Sequence, residues 1–234
     1  MIKPLKMNKI QSNKFLRFDS KISKQMLKLY HGRGVDTLFF HHSWSTVPYE
    51  LIASFVPEEG LIYDLGSGRG IFSNCMALQS PFRRVVGIDN NLPRIKCALA
   101  TVKDKNNPVF YPGNIGEEEY DECEAFSLIN VLHHCPSYRF QEKLIERCYE
   151  KLKPSGRLVI VDVNNRPRHK YVLCCFLEHL FHPLSGIYYR NEEKMLRLLE
   201  DVGFRVEVKP IDQNIPYALT LYLAEKISGS RELV

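Results

Sequence analysis

Three glycines, an aspartate and a pair of histidines are the residues of this chain whose types and spacing can do chemistry. Gly66, Gly68 and Gly70 stand two apart in Gly66-Ser67-Gly68-Arg69-Gly70, directly after the strand-like run Leu61-Ile62-Tyr63-Asp64-Leu65. Glycine reaches backbone angles closed to other residues and lets a ligand lie against the main chain. A helix opening near Arg69 would add free N–H groups for an anionic part of that ligand. Asp89 ends the run Val85-Val86-Gly87-Ile88, about 20 residues past the turn, the separation at which a carboxylate reaches a ribose hydroxyl. His133 and His134 follow closely on Asn130. Imidazole titrates near neutral pH, so either suits a general base, and either can equally pack or cap at the end of a strand. A dinucleotide fingerprint would want its third glycine at position 71, where Ile71 stands, which counts against NAD.

Positioning those residues takes alternating strands and helices. Strands are predicted over 61–65, 83–89, 109–111, 125–129 and 157–163, and helices over 71–79, 92–102, 138–152 and 191–202, the last closed by Gly203. Two closing strands, 204–208 and 219–224, have no helix between them. This order predicts an α/β, doubly wound, mainly parallel sheet with an antiparallel edge. Upstream, Phe15, Phe18, Ile22, Met26 and Leu29 mark one face of a helix over 14–30, and 48–56 suits a short helix. Between them, 31–44 reads as a loop and apolar patch with three histidines and the single tryptophan, Trp44. The expected division is an N-terminal helical extension over 1–46 and one domain over 47–234, with an acceptor-side insertion at 164–190.

That insertion opens with Arg166, Arg168, His169 and Lys170, then places Leu173, Phe176, Leu177, Leu180 and Phe181 on one helical face, widened by Val172 and Cys175. It fits either a lid packed on the sheet or an interfacial contact with anionic lipid.

With 234 residues and 44% hydrophobic content, the chain has enough for one packed domain. Its net charge of +5 permits an anionic partner without requiring one. Seven cysteines without a CxxC pair do not make a disulfide framework or a zinc site. The acidic stretch 117–122 reads as a solvated turn, so no metal is expected. A reducing, cytoplasmic setting is expected, since the basic N-terminus lacks the apolar run of a signal peptide; peripheral membrane contact stays open.

From about Leu61 onward the chain resembles the class I S-adenosylmethionine-dependent methyltransferases. Residues 61–70 resemble that family's first motif and 85–89 its second. Tyr111-Pro112-Gly113-Asn114-Ile115 falls at the third, 125–134 resembles the fourth, and 152–162 the turn and strand that follow. The resemblance implies a Rossmann-like, seven-stranded sheet and S-adenosyl-L-methionine as cofactor. It implies that Gly66, Ser67, Gly68 and Gly70 hold the cofactor's amino-acid end, with Asp64 near its ammonium. Asp89 would take the ribose hydroxyls, Asn90 the adenine edge, and Asn114 with Ile115 the adenine itself. Asn130 would lie beside the methyl group, with His133 or His134 as base. Methyltransferases acting on base amines carry an Asn/Asp-Pro-Pro-Tyr/Phe stretch where this chain has Asn130-Val131-Leu132-His133. A small-molecule or lipid-like acceptor is therefore expected rather than nucleic acid. The rivals are a non-catalytic cofactor-binding subunit and an NAD-dependent oxidoreductase; the acceptor atom and oligomeric state stay open.

Overall fold

The computed structural model describes residues 19–102, 107–181, 186–211 and 215–227. The expectations for 1–18, for 182–185 and for the side chains of Leu177, Leu180 and Phe181 lie outside what is described. Helices α1 (Lys21–Tyr30), α2 (Val35–Thr46) and α3 (Tyr49–Ala53) precede an alternation of β1 (Gly60–Leu65), α4 (Ile71–Gln79), β2 (Arg83–Asp89), α5 (Leu92–Thr101), β3 (Val109–Pro112) and β4 (Cys123–Ile129). A 3-10 turn (Leu132–His134) leads to α6 (Tyr138–Lys151), β5 (Leu152–Val163), α7 (Arg168–Phe181), α8 (Glu192–Val202), β6 (Phe204–Pro210) and β7 (Leu219–Lys226).

The seven strands form one sheet in the order β3-β2-β1-β4-β5-β7-β6. Pairing is parallel from β3 through β5, and β7 runs antiparallel to both of its neighbours, β5 and β6. Order reverses between β1 and β4, which leaves a crevice at the carboxyl ends of those strands. Alternate side chains feed two cores. Ile62, Val159 and Val161 face the layer of α1 to α4, whereas Leu61, Tyr63, Leu65, Leu158 and Ile160 face α6 and α8.

Residues 31–44, expected as a loop, are mostly α2. Gly34, at φ 56°, turns the chain into the helix. Phe40, Ser43 and Trp44 are buried while Val35, Leu38 and Phe39 are exposed, and apolar residues on both faces erase the helical period from the sequence. Tyr30 stacks flat on Phe40 at 4.6 Å, which joins α1 to α2. In α7, Cys174 is buried, whereas Val172, Leu173 and Phe176 point outward. On the face that fits either a lid or an interfacial contact, these three side chains point outward.

Candidate functional site

Beyond β1 the chain passes through Gly66, Gly68 and Gly70 at φ 72°, 56° and 77°, a left-handed succession that side-chain-bearing residues resist. The three glycines do different work. A Cβ on Gly66 would come within 2.5 Å of the Val131 side chain, and one on Gly70 within 2.6 Å of Phe110. At Gly68 the nearest atom would be Asp89 Oδ2 at 4.0 Å, so this glycine faces open space. The outer two pack the turn against the sheet and α5, and the middle one leaves the approach clear.

Asp89, at the end of β2, is buried and accepts hydrogen bonds from the Gly68 N–H through Oδ2 and from the Asn91 N–H through Oδ1, both at 2.8 Å. Asp64 lies beneath the turn, in register with Gly87 of β2 and Ser127 of β4. Its carboxylate accepts from the hydroxyls of Ser73 and, at 2.8 Å, Ser127. Burial pushes its pKa up to about 6; the two serine hydroxyls pull the other way, and the negative charge of Asp89 adds to the rise. Asn130 closes β4 at φ 56°, with its N–H on Val161 O. Ser67 Oγ and Asn130 Oδ1 are buried and have no hydrogen-bond partner among the described residues. Buried polar atoms ordinarily find a partner, so two such atoms, one on the glycine turn and one at the end of the neighbouring β4, fit a polar ligand bound at this end of the sheet.

The third expected segment is attached by Gly113, whose N–H donates to Asp89 O at 3.1 Å. Asn114 is exposed and its Oδ1 accepts from the Gly116 N–H, while Ile115 is half-buried against the second core. Asn90 is exposed beside Asp89. The fold thus gathers Asp64, Gly66, Ser67, Gly68, Gly70, Asp89 and Asn130, and leaves Asn90 and Asn114 on its solvent side.

His133 and His134 separate sharply. His133 is 1% exposed, with Nδ1 hydrogen-bonded to Asp162 Oδ1 and its backbone N–H directed at Asp162 Oδ2. An Nδ1–H donated to a carboxylate leaves Nε2 as the basic nitrogen. Tyr189 stacks on the His133 ring at 5.1 Å, and Tyr171 meets Tyr189 edge-on at 5.6 Å. Tyr188 fixes this wall by donating its N–H to His133 O, and Gln141 donates to both Leu132 O and Tyr188 O. His134 is exposed, its ring 4.1 Å from that of His133. Sequence reasoning missed Asp162, Ser73 and Ser127. An acid ending the otherwise apolar run Leu158 to Val161 was the available signal for the first.

Helices α1 and α2 reach the same turn. The Tyr30 hydroxyl donates to Arg69 O at 2.8 Å, and the Arg69 guanidinium pairs with Asp36 at 2.7 Å and lies 4.1 Å from the centre of the Phe39 ring.

A family profile described as a methyltransferase domain matches residues 46–208. The chain is 37% identical over 103 residues to a carboxy-S-adenosyl-L-methionine synthase of Helicobacter pylori strain Shi470; the match covers 43% of this chain and 42% of that protein. It thus spans about two fifths of the length of that relative. It is 22% identical to a demethylmenaquinone methyltransferase of Thermotoga maritima, over 76% of this chain and 81% of the other. Among solved structures, human N-acetylserotonin methyltransferase in complex with SAM superposes with a TM-score of 0.66 at 18% identity, covering 90% of this chain and 58% of that one.

Proposed function

The chain belongs to the methyltransferase domain family, and from that premise we propose that it transfers a methyl group from S-adenosyl-L-methionine to a small-molecule acceptor. The observation that carries this reading is the turn itself, open at Gly68 and hydrogen-bonded to the Asp89 carboxylate, together with Ser67 Oγ and Asn130 Oδ1, buried and without a hydrogen-bond partner among the described residues. When bound, S-adenosylmethionine supplies an electrophilic methyl group on a sulfonium. Displacement at such a carbon needs alignment and exclusion of water more than it needs acid or base from the protein.

In this reading Asp89 receives the ribose hydroxyls on the lone pairs that the Gly68 and Asn91 N–H groups leave over. Asp64, raised in pKa by burial, is ionised above about pH 6 at a cost in stability, and a nearby ammonium offsets that cost and favours the carboxylate. Ser67, Gly66 and Gly70 hold the turn, and Asn130 stands at the reacting end. The segment 113–115 flanks the adenine, through Ile115 more than through the exposed Asn114 or Asn90. His133, oriented by Asp162, takes a proton from the acceptor at Nε2, and Tyr189 with Tyr171 walls the acceptor site. His134 lies at the rim.

The test of the cofactor is a thermal melt. A ligand held only by the folded state stabilises it by roughly 2.7 kcal/mol at a hundred times its dissociation constant, so S-adenosylhomocysteine should raise the melting temperature and NAD should not. The reverse pattern would overturn the assignment. Incubating a cell extract with the protein and methyl-labelled cofactor, and reading the labelled product by mass spectrometry, then identifies the acceptor.

A second reading draws on the 1% exposure of His133. If that histidine only fills the core, His133→Gln lowers the melting temperature and spares kcat at permissive temperature. If it is the base, kcat falls about 100-fold or more while S-adenosylhomocysteine affinity is kept.

A further inference from the structure

We propose that α2 and α7 together present an apolar face, rimmed by arginine, that docks on an anionic lipid surface. The two helices carry the same outward pattern. In α7, positions 169, 172, 173 and 176 fall on one face, where exposed His169 is joined by Val172 at 58%, Leu173 at 39% and Phe176 at 64% exposure. In α2, positions 35, 38, 39 and 42 do the same, with exposed His42 joined by Val35 at 73%, Leu38 at 71% and Phe39 at 42%. Single exposed apolar residues are ordinary; a repeated i, i+3, i+4, i+7 stripe on two helices is a surface.

Both helices are anchored at the end of the sheet where β1 and β5 terminate. α2 is tied there through Asp36 to Arg69 of the glycine turn, and through His42 to Tyr217 at 3.0 Å, just before β7. α7 leaves the end of β5, and its Tyr171 meets Tyr189 beside His133. The two stripes are therefore carried by helices anchored at the end of the sheet that holds the candidate site.

Charge selects the occupant. Exposed Arg166 and Arg168 stand at the start of α7, on a chain of net charge +5. A second copy would bring the same arginines against each other, whereas a bilayer with anionic headgroups complements them and accepts the apolar side chains between its lipids. Among the described residues no helix is long and apolar enough to cross a membrane, so the contact is peripheral.

The experiment uses the full chain and vesicles of phosphatidylcholine alone or mixed with phosphatidylserine. The protein should co-sediment with the mixed vesicles only, and less so as salt is raised. The double variant Arg166→Ala with Arg168→Ala should bind roughly 30-fold more weakly, about fivefold per charge. Val172→Ser with Phe176→Ser should abolish co-sedimentation while keeping the melting shift given by S-adenosylhomocysteine. If that pair fails to fold, the arginine pair decides. Three results would overturn the proposal: no binding of the parent to the mixed vesicles, unchanged binding by folded variants of both kinds, or a dimer in light scattering that the Phe176 change dissolves. Vesicle binding is read without turnover, so its failure leaves the methyl-transfer reading standing.

Discussion

Asp64 holds a carboxylate where water scarcely reaches, satisfied by two hydroxyls and, among the described residues, paired with no positive charge. Its folded pKa of about 6 lies above the roughly 3.9 of an unfolded aspartate, so the folded chain binds the proton more tightly. Stability should therefore fall as pH rises from about 4 to about 6, with the penalty fully developed above that window. A cationic ammonium beside Asp64 would favour the ionised form. Affinity for S-adenosylhomocysteine should accordingly strengthen, by roughly tenfold, between pH 5 and pH 7. Calorimetry at several pH values checks this, and a flat profile would detach Asp64 from the ligand. Asp64→Asn separates the two effects: the melting temperature at pH 7 should rise or hold while affinity drops. Asp89 behaves differently because it already restrains the turn. Asp89→Ala should weaken cofactor binding at least tenfold, and by freeing the Gly68 and Asn91 N–H groups should also cost about 1–3 kcal/mol of stability in a denaturant titration.

Arg83 shows how the first helices are fastened to the sheet. Its buried guanidinium donates to the carbonyls of Ala53, Val56, Pro57 and Met76, so one side chain closes the C-terminal end of α3 and the approach to β1 and reaches into α4. Arg83→Met takes the guanidinium from all four carbonyls, of which Ala53 O and Met76 O keep a backbone N–H from Val56 and Ser80, and urea unfolding should show a loss of about 3 kcal/mol or more. Nothing in the sequence marked Arg83 beyond the start of a strand. The strands and most helices were legible because their apolar periods are clean, and the glycine turn because its residues are contiguous. Contacts made across the sheet were not. Asp64 and Ser127 are 63 residues apart, and His133 and Asp162 are 29 apart. Each pair meets only because β4 is inserted between β1 and β5. The helix α2 was hidden for the opposite reason, having apolar residues on too many sides to show a face.

Helices α1 and α2 are tied to the glycine turn at Arg69. Tyr30 holds its carbonyl, while Asp36 and Phe39 hold its guanidinium. A ligand that orders the turn must therefore also restrain α1 and α2. Adding S-adenosylhomocysteine should slow amide hydrogen exchange in both helices as well as in 64–70, and Tyr30→Phe should weaken that coupling. Protection confined to 64–70 would show that α1 and α2 move independently.

The position of β7 has a consequence in time. β6 touches the sheet only through β7, which follows it in the chain and lies between it and β5. During synthesis from the N-terminus, β6 leaves the ribosome with nothing to pair with, and β5 keeps one side bare, until β7 arrives and fills both vacancies at once. Until then the nascent chain carries two unsatisfied strand edges beside an apolar face, the form in which a growing chain is most exposed to misassembly and most in need of a chaperone.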